Sequence, residues 1–135
     1  MNAAIASPLL ALLLTLNTGA ASAAADTTPG EILSSLTARA GVAPSAQRGR
    51  QFFVSRHGRE WSCSTCHGEL PTTPGRHAAT GKSIAPLAPA FDAARFGNAA
   101  KTEKWFRRNC NDVVGRECSA AEKADVLGWL MSLQR

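Results

Sequence analysis

Cys63-Ser64-Thr65-Cys66-His67 constrains this 135-residue chain more than any other feature in it. Two cysteines spaced by two residues, with a histidine directly after the second, form the attachment pattern of a c-type haem. In that chemistry each cysteine sulfur adds across a haem vinyl group, and the histidine becomes the proximal iron ligand. Two intervening residues let one turn of helix span both vinyl edges, and the adjacent position points the imidazole at the metal. The rival is a thioredoxin-like dithiol, which expects a βαβ setting and gives His67 no task. The pattern therefore predicts one covalent haem c, held by Cys63, Cys66 and His67, with His67 on the iron.

The chain start reads as an address. Residues 8–16 form an apolar run, and Ala21-Ser22-Ala23 has the A-x-A form that a signal peptidase cuts. That run is too short to span a bilayer. The segment before it has no Lys or Arg, so only the α-amino group supplies the usual positive start. Residues 1–25 are expected to be a signal peptide and residues 26–135 one monohaem domain of the periplasm, with no transmembrane segment. So short a domain buries a thin core, to which a covalent haem would add a large apolar body.

Export also bears on Cys110 and Cys118. In an oxidising compartment an even leftover pair is most simply a disulfide. The rival is a zinc site built from Cys63, Cys66, Cys110 and Cys118, although the second pair is spaced more widely than zinc sites favour.

Fifteen Lys and Arg against ten Asp and Glu give a formal charge of +5, all of it beyond residue 25. Basic residues recur at Arg48, Arg50, Arg56, Arg59, Arg76, Lys101, Lys104, Arg107 and Arg108. Each alone reads as part of a solvated face. Together they suit a redox protein that must meet an acidic partner quickly. Nucleic acid is not an expected partner of an exported haem protein.

The remainder reads as helices and loops, with no run of alternating β-type residues. Thr28-Pro29-Gly30-Glu31 is a capping-box start; Ile32, Leu33 and Leu36 share a face, and Gly41 ends the segment. A second helix is expected from about Pro44 and Ser45 through Phe53, and a penultimate one over 98–109. The last starts at the capping box Ser119-Ala120-Ala121-Glu122 and carries Val126, Leu127, Trp129, Leu130 and Leu133. Gly49 and Gly128 sit where two helices could approach closely. The Pro- and Gly-rich stretch 70–90 is expected to form no regular element and to wrap the haem edge.

A helix before CxxCH, a loop over the haem and a final helix crossing back resemble the all-α class I cytochrome c fold. In that fold a glycine and an aromatic on the first helix pack against the last, and Gly49 with Phe53 matches this against Leu127 and Leu130. Most such proteins place a methionine on the loop after the haem as sixth ligand. Here none occurs between His67 and Trp129, and Met131 lies among the packing residues of the final helix. The sixth position is therefore open, bis-histidine or unusual. His77, in the loop, could reach the iron; His57, before the motif, is harder to place.

Gly81-Lys82-Ser83-Ile84-Ala85-Pro86-Leu87-Ala88-Pro89, Lys104-Trp105-Phe106-Arg107-Arg108-Asn109-Cys110-Asn111 and Val114-Gly115-Arg116-Glu117-Cys118 resemble the sphaeroides haem protein family of small c-type cytochromes. With CxxCH and Glu122-Lys123-Ala124-Asp125, the resemblance covers nearly all of residues 26–135. It implies that Asn109 binds the distal iron face, that Cys110 and Cys118 form a disulfide, and that the asparagine leaves on reduction so that oxygen or nitric oxide can bind. It further implies electrons from a dihaem cytochrome c, itself fed by a membrane cytochrome b.

Chemistry agrees with such a switch. An amide oxygen is a hard, neutral, weak donor, better matched to ferric than to ferrous iron. Without the resemblance, Asn109 near a helix end would read as a cap or turn residue, and Asn111 is the neighbouring alternative. Arg107 and Arg108 could pair with haem propionates or draw anions toward the iron, or complement the end of a helix in solvent. Trp105 and Phe106 are expected to line the haem pocket or the core. Two functions follow: an electron carrier, and a gas-handling protein that reduces oxygen or converts nitric oxide to nitrate.

Overall fold

The computed structural model describes residues 26–135 together with Met1; the rest of the expected signal peptide lies outside the described residues. In chain order the elements are α1 (Pro29–Ala40), α2 (Ala46–Val54), α3 (Cys63–His67), β1 (Gly75–Arg76), β2 (Ser83–Ile84), α4 (Ala99–Val113) and α5 (Ala120–Ser132). The architecture is all-α apart from the short β ladder. No helix among the described residues is long and apolar enough to cross a membrane.

Local signals place most of these ends. Thr28 Oγ1 accepts from the Glu31 N–H, and Glu31 returns a carboxylate oxygen to the Thr28 N–H at 2.7 Å, closing the expected capping box. Gly41 ends α1 at φ 67°, a left-handed conformation open to glycine. Ser45 caps α2, and Ser119 with Glu122 caps α5.

Two expectations about the elements themselves need correction. The penultimate helix does not stop at Asn109 but runs to Val113. Nothing in residues 110–113 breaks a helix; the stop comes at Gly115, whose N–H joins that of Val114 on the Cys110 carbonyl. The stretch 70–90 does contain a regular element, because β1 and β2 pair antiparallel with Gly75 opposite Ile84 and Arg76 opposite Ser83. Strands of two residues leave no alternation to read.

Helix α5 is the axis against which α1 and α2 pack. Ile32 and Leu36 meet Ala124 and Leu127 in one cluster, with Met131 partly buried at its edge. Phe53 meets Val126, Trp129 and Leu130 in a second, and Phe96 touches both. The expected partner Leu130 thus packs on Phe53, whereas Leu127 serves α1, because the apolar stripe of α5 is wide enough for two helices.

Gly49 makes the close approach expected of it, with α5 backbone at Asp125. Gly128 does not: a Cβ there would meet Pro44 Cβ at an ordinary 3.5 Å. Asp125, buried, fixes the crossing by accepting from Arg48 Nε at 2.7 Å, Arg48 Nη2 at 2.8 Å and the Ser45 N–H at 2.6 Å. Arg48 is thereby committed to a two-pronged ion pair rather than to solvent alone.

Candidate haem site

The attachment motif is a single capped helical turn. Ser62, buried, accepts from the Thr65 N–H at 3.2 Å while Thr65 Oγ1 accepts from the Ser62 N–H at 3.0 Å. The Gly68 N–H closes the turn on the Ser64 carbonyl at 2.8 Å. Cys63, Cys66 and His67 therefore share one rigid turn, as the motif predicted. The reciprocal Ser62–Thr65 cap was missed in the sequence; its spacing was there to read, but threonine replaces the usual Glu or Gln at the third position.

Both motif cysteines are free thiols, whereas Cys110 and Cys118 are joined in a disulfide. That bond removes two of the four thiolates the zinc alternative required. A redox dithiol needs a thiol shifted down toward thiolate, but burial pushes Cys63 up to about 11. Burial, with the nearby charge of Arg95, also holds His67 down to about 4, so its imidazole is neutral at pH 7, the form that ligates iron. The Phe53 ring stands 6.2 Å from that of His67. Two uncommitted thiols and a neutral imidazole on one turn fit covalent haem c.

The loop beyond folds back onto the motif. A Cβ on Gly75 would lie 2.2 Å from the Cys66 carbonyl oxygen and 3.0 Å from His67 Cα. The Ala78 N–H donates to Cys66 Sγ at 3.3 Å. Farther on, the Leu87 and Ala88 N–H groups both donate to the Pro71 carbonyl, and Arg95 clamps the carbonyls of Ala85 and Pro86 at 2.8 Å each. Gly75 and Arg95 belong to the site's support and carried no mark in the sequence, since their partners are distant along the chain.

The candidates for the sixth ligand are separated by their surroundings. Met131 is packed against the α1 cluster. His57 Nε2 lies 2.7 Å from the Phe52 carbonyl, with the two rings in contact. His77 Nδ1 accepts from the Ala79 and Thr80 N–H groups at 3.3 Å each, which puts the ring proton on Nε2 and leaves that atom no free lone pair. Asn109 is exposed and four residues inside the end of α4, where it caps nothing. Asn111, also exposed, accepts through its backbone carbonyl from Arg59 at 3.4 Å.

Phe106 packs on the Phe53 cluster and stands 6.4 Å from Phe96. Trp105 lies outside the protein's own core, 45% exposed, with the Arg108 guanidinium over its ring at 5.6 Å. Arg108 also approaches Asp112 at 3.9 Å, and Arg107 is exposed.

The profile of a domain of unknown function, DUF1924, matches residues 39–130. Cytochrome c-type protein SHP of Cereibacter sphaeroides is 47% identical over 111 residues, 79% of this chain and 85% of that protein. Cytochrome c'' of Methylophilus methylotrophus is 38% identical over 94 residues, 67% of this chain and 65% of that one. Among solved structures, oxidised SHP, described as an oxygen-binding cytochrome c, matches with TM-score 0.75 at 46% identity, over 80% of this chain and 99% of that chain. A solution structure of cytochrome c'', concerned with haem-ligand detachment, matches with TM-score 0.67 at 32% identity, over 79% of this chain and 94% of that chain. With these likenesses beside a capped CxxCH turn in a class I cytochrome c-like fold, the chain belongs to the sphaeroides haem protein family of c-type cytochromes and carries one covalent haem c.

Proposed function

We propose that this is an exported, periplasmic electron-transfer cytochrome in which Asn109 is a labile sixth ligand, released on reduction to admit oxygen or nitric oxide. The observation that carries the reading is the placing of Asn109: exposed within α4, next to the buried, disulfide-bonded Cys110, and used for no cap. The alternatives Met131, His57 and His77 are each engaged elsewhere. The oxygen binding described for SHP and the ligand detachment described for cytochrome c'' point the same way.

A bound haem c would supply a one-electron centre and an iron to which a diatomic gas can bind. The Asn109 amide oxygen, a weak neutral donor, holds more tightly to the oxidised state than to the reduced one. The disulfide at the next residue limits how far Asn109 travels. Cys63 and Cys66 would tether the group, and neutral His67 would ligate its iron. The positive charge on α4, at Lys101, Lys104 and Arg107, favours an acidic donor; a dihaem cytochrome c fed by a membrane cytochrome b is the donor proposed. Turnover, as oxygen reduction or conversion of nitric oxide and oxygen to nitrate, is the enzymatic form of this function.

Optical spectra of both oxidation states, with and without carbon monoxide, test it. The expected result is a low-spin ferric protein, a five-coordinate high-spin ferrous protein, and carbon monoxide binding only after reduction. A ferrous form that stays six-coordinate and ignores carbon monoxide would leave a simple bis-histidine electron carrier.

A further inference from the structure

Lys123 is the one buried Lys or Arg among the described residues, and its side chain is 4% exposed. It projects from α5, and its Nζ donates to Glu103 of α4 at 2.5 Å and to Glu117, the neighbour of Cys118, at 3.3 Å. Glu103 also faces Arg39 of α1 at 3.6 Å. Burial acts to raise Glu103, but the hydrogen bond and charge of Lys123, with those of Arg39, outweigh it and hold the carboxyl below its usual range.

The pattern of partners is informative. A buried cation is tolerated only when paired; of the two partners of Lys123, Glu117 lies within the loop that the Cys110–Cys118 bond closes, and Glu103 lies on α4, the helix that leads into that loop. The backbone of α4 runs closely along no other helix among the described residues, whereas α5 is packed against α1 and α2. Side chains therefore fasten α4 to the core, and Lys123 supplies the buried charged fastening, with the more exposed Arg39 beside it.

We propose that Lys123 is a positioning residue for Asn109. From the fixed α5 it pins α4 through Glu103 and the disulfide loop through Glu117, so that Asn109 departs and returns on a restrained helix. This rests on the reading of Asn109 as the sixth ligand. Six residues separate Glu103 from Asn109, about 9 Å along the helix axis. The pin thus holds the helix before Asn109 at Glu103 and the loop after it at Glu117, leaving the turn that carries Asn109 only a limited tilt.

Holoprotein carrying Lys123→Met, with Lys123→Arg as the conservative rescue, tests the inference by ferric spin state and by hydrogen exchange. Expected are a partly high-spin ferric form and α4 amides that exchange about tenfold faster or more, with α1 and α2 much less affected and both effects reversed by Arg. An unchanged spin state, or α4 exchange no faster than that of α1 and α2, overturns it. If Lys123→Met does not fold, Glu103→Gln is read on the same two measurements. Asn109→Ala separates the two claims. If that variant leaves the ferric site closed, the ligand assignment falls and this inference with it; if it opens the site while Lys123→Met behaves as wild type, the assignment stands and the anchor alone falls.

Discussion

Gly49 of α2 lies so close to Asp125 of α5 that a Cβ built on it would stand 2.0 Å from the Asp125 carbonyl oxygen. Backbone, not a flexible side chain, occupies that space, so neither partner can yield cheaply. Gly49→Ala is expected to part the two helices and cost about 3 kcal/mol. Urea unfolding of the purified holoprotein measures this, and a loss of a few tenths would show that the crossing is looser than the geometry states.

A second close contact sits at the site itself. Gly75→Ala would drive a methyl group into the Cys66 carbonyl oxygen, 2.2 Å away, pushing the loop off the attachment turn and stretching the Ala78 N–H to Cys66 Sγ contact. The expected outcome is a lower ratio of haem absorbance to protein and a stability loss of about 2 kcal/mol. Both are read on purified protein prepared alongside wild type.

These two glycines show what a sequence reveals and what it hides. CxxCH was legible because covalent attachment demands neighbouring residues, and the ends of α1 and α5 because capping boxes act over three positions. Gly49 was marked by its place in a known helix crossing, but Gly75 was not, since its obstacle belongs to another segment. The end of α4 was misplaced because its stop signal, Gly115, lies six residues past Asn109. Lys123 and Glu103, twenty residues apart, look like ordinary surface charges until the fold buries one of them. The role of Asn109 came from resemblance; residue chemistry alone made it a cap.

The Cys110–Cys118 bond closes a short loop, its cysteines eight positions apart. Replacing both by alanine is expected to cost about 2.5 kcal/mol in the chain-entropy model, measured by urea unfolding with and without reductant. Reductant should bring wild type toward the double variant and leave the variant unchanged.

Acid should weaken the start of α5 over a defined range. Arg116 hydrogen-bonds to Glu122, which also accepts from the Ser119 N–H, and these hold the Glu122 carboxyl down to about 2 from an ordinary 4.5. A carboxylate depressed on folding stabilises above its unfolded value and loses that contribution as pH falls through its folded value. Stability is therefore expected to fall between about pH 4.5 and 2. Glu122→Gln should cost about 1 kcal/mol at neutral pH and flatten this part of the profile. Urea unfolding as a function of pH checks both, and a slope identical to wild type would place the acid response elsewhere.

The sixth ligand is decided by three substitutions. Asn109→Ala removes the proposed donor, so the ferric protein should turn high-spin while the rate of carbon monoxide binding to the ferrous form stays near wild type. His77→Ala should leave the ferric spectrum alone, because His77 Nδ1 is occupied by the Ala79 and Thr80 N–H groups and the ring proton sits on Nε2. Asn111→Ala should also be silent at the iron, since Asn111 bonds to Arg59 through its backbone carbonyl, which the substitution retains. Optical and electron paramagnetic resonance spectra of the three variants read the outcome. An open ferric site in His77→Ala, with Asn109→Ala unchanged, would mean that the turn at residues 77–80 rearranges to release the ring, and the protein would then be a bis-histidine electron carrier.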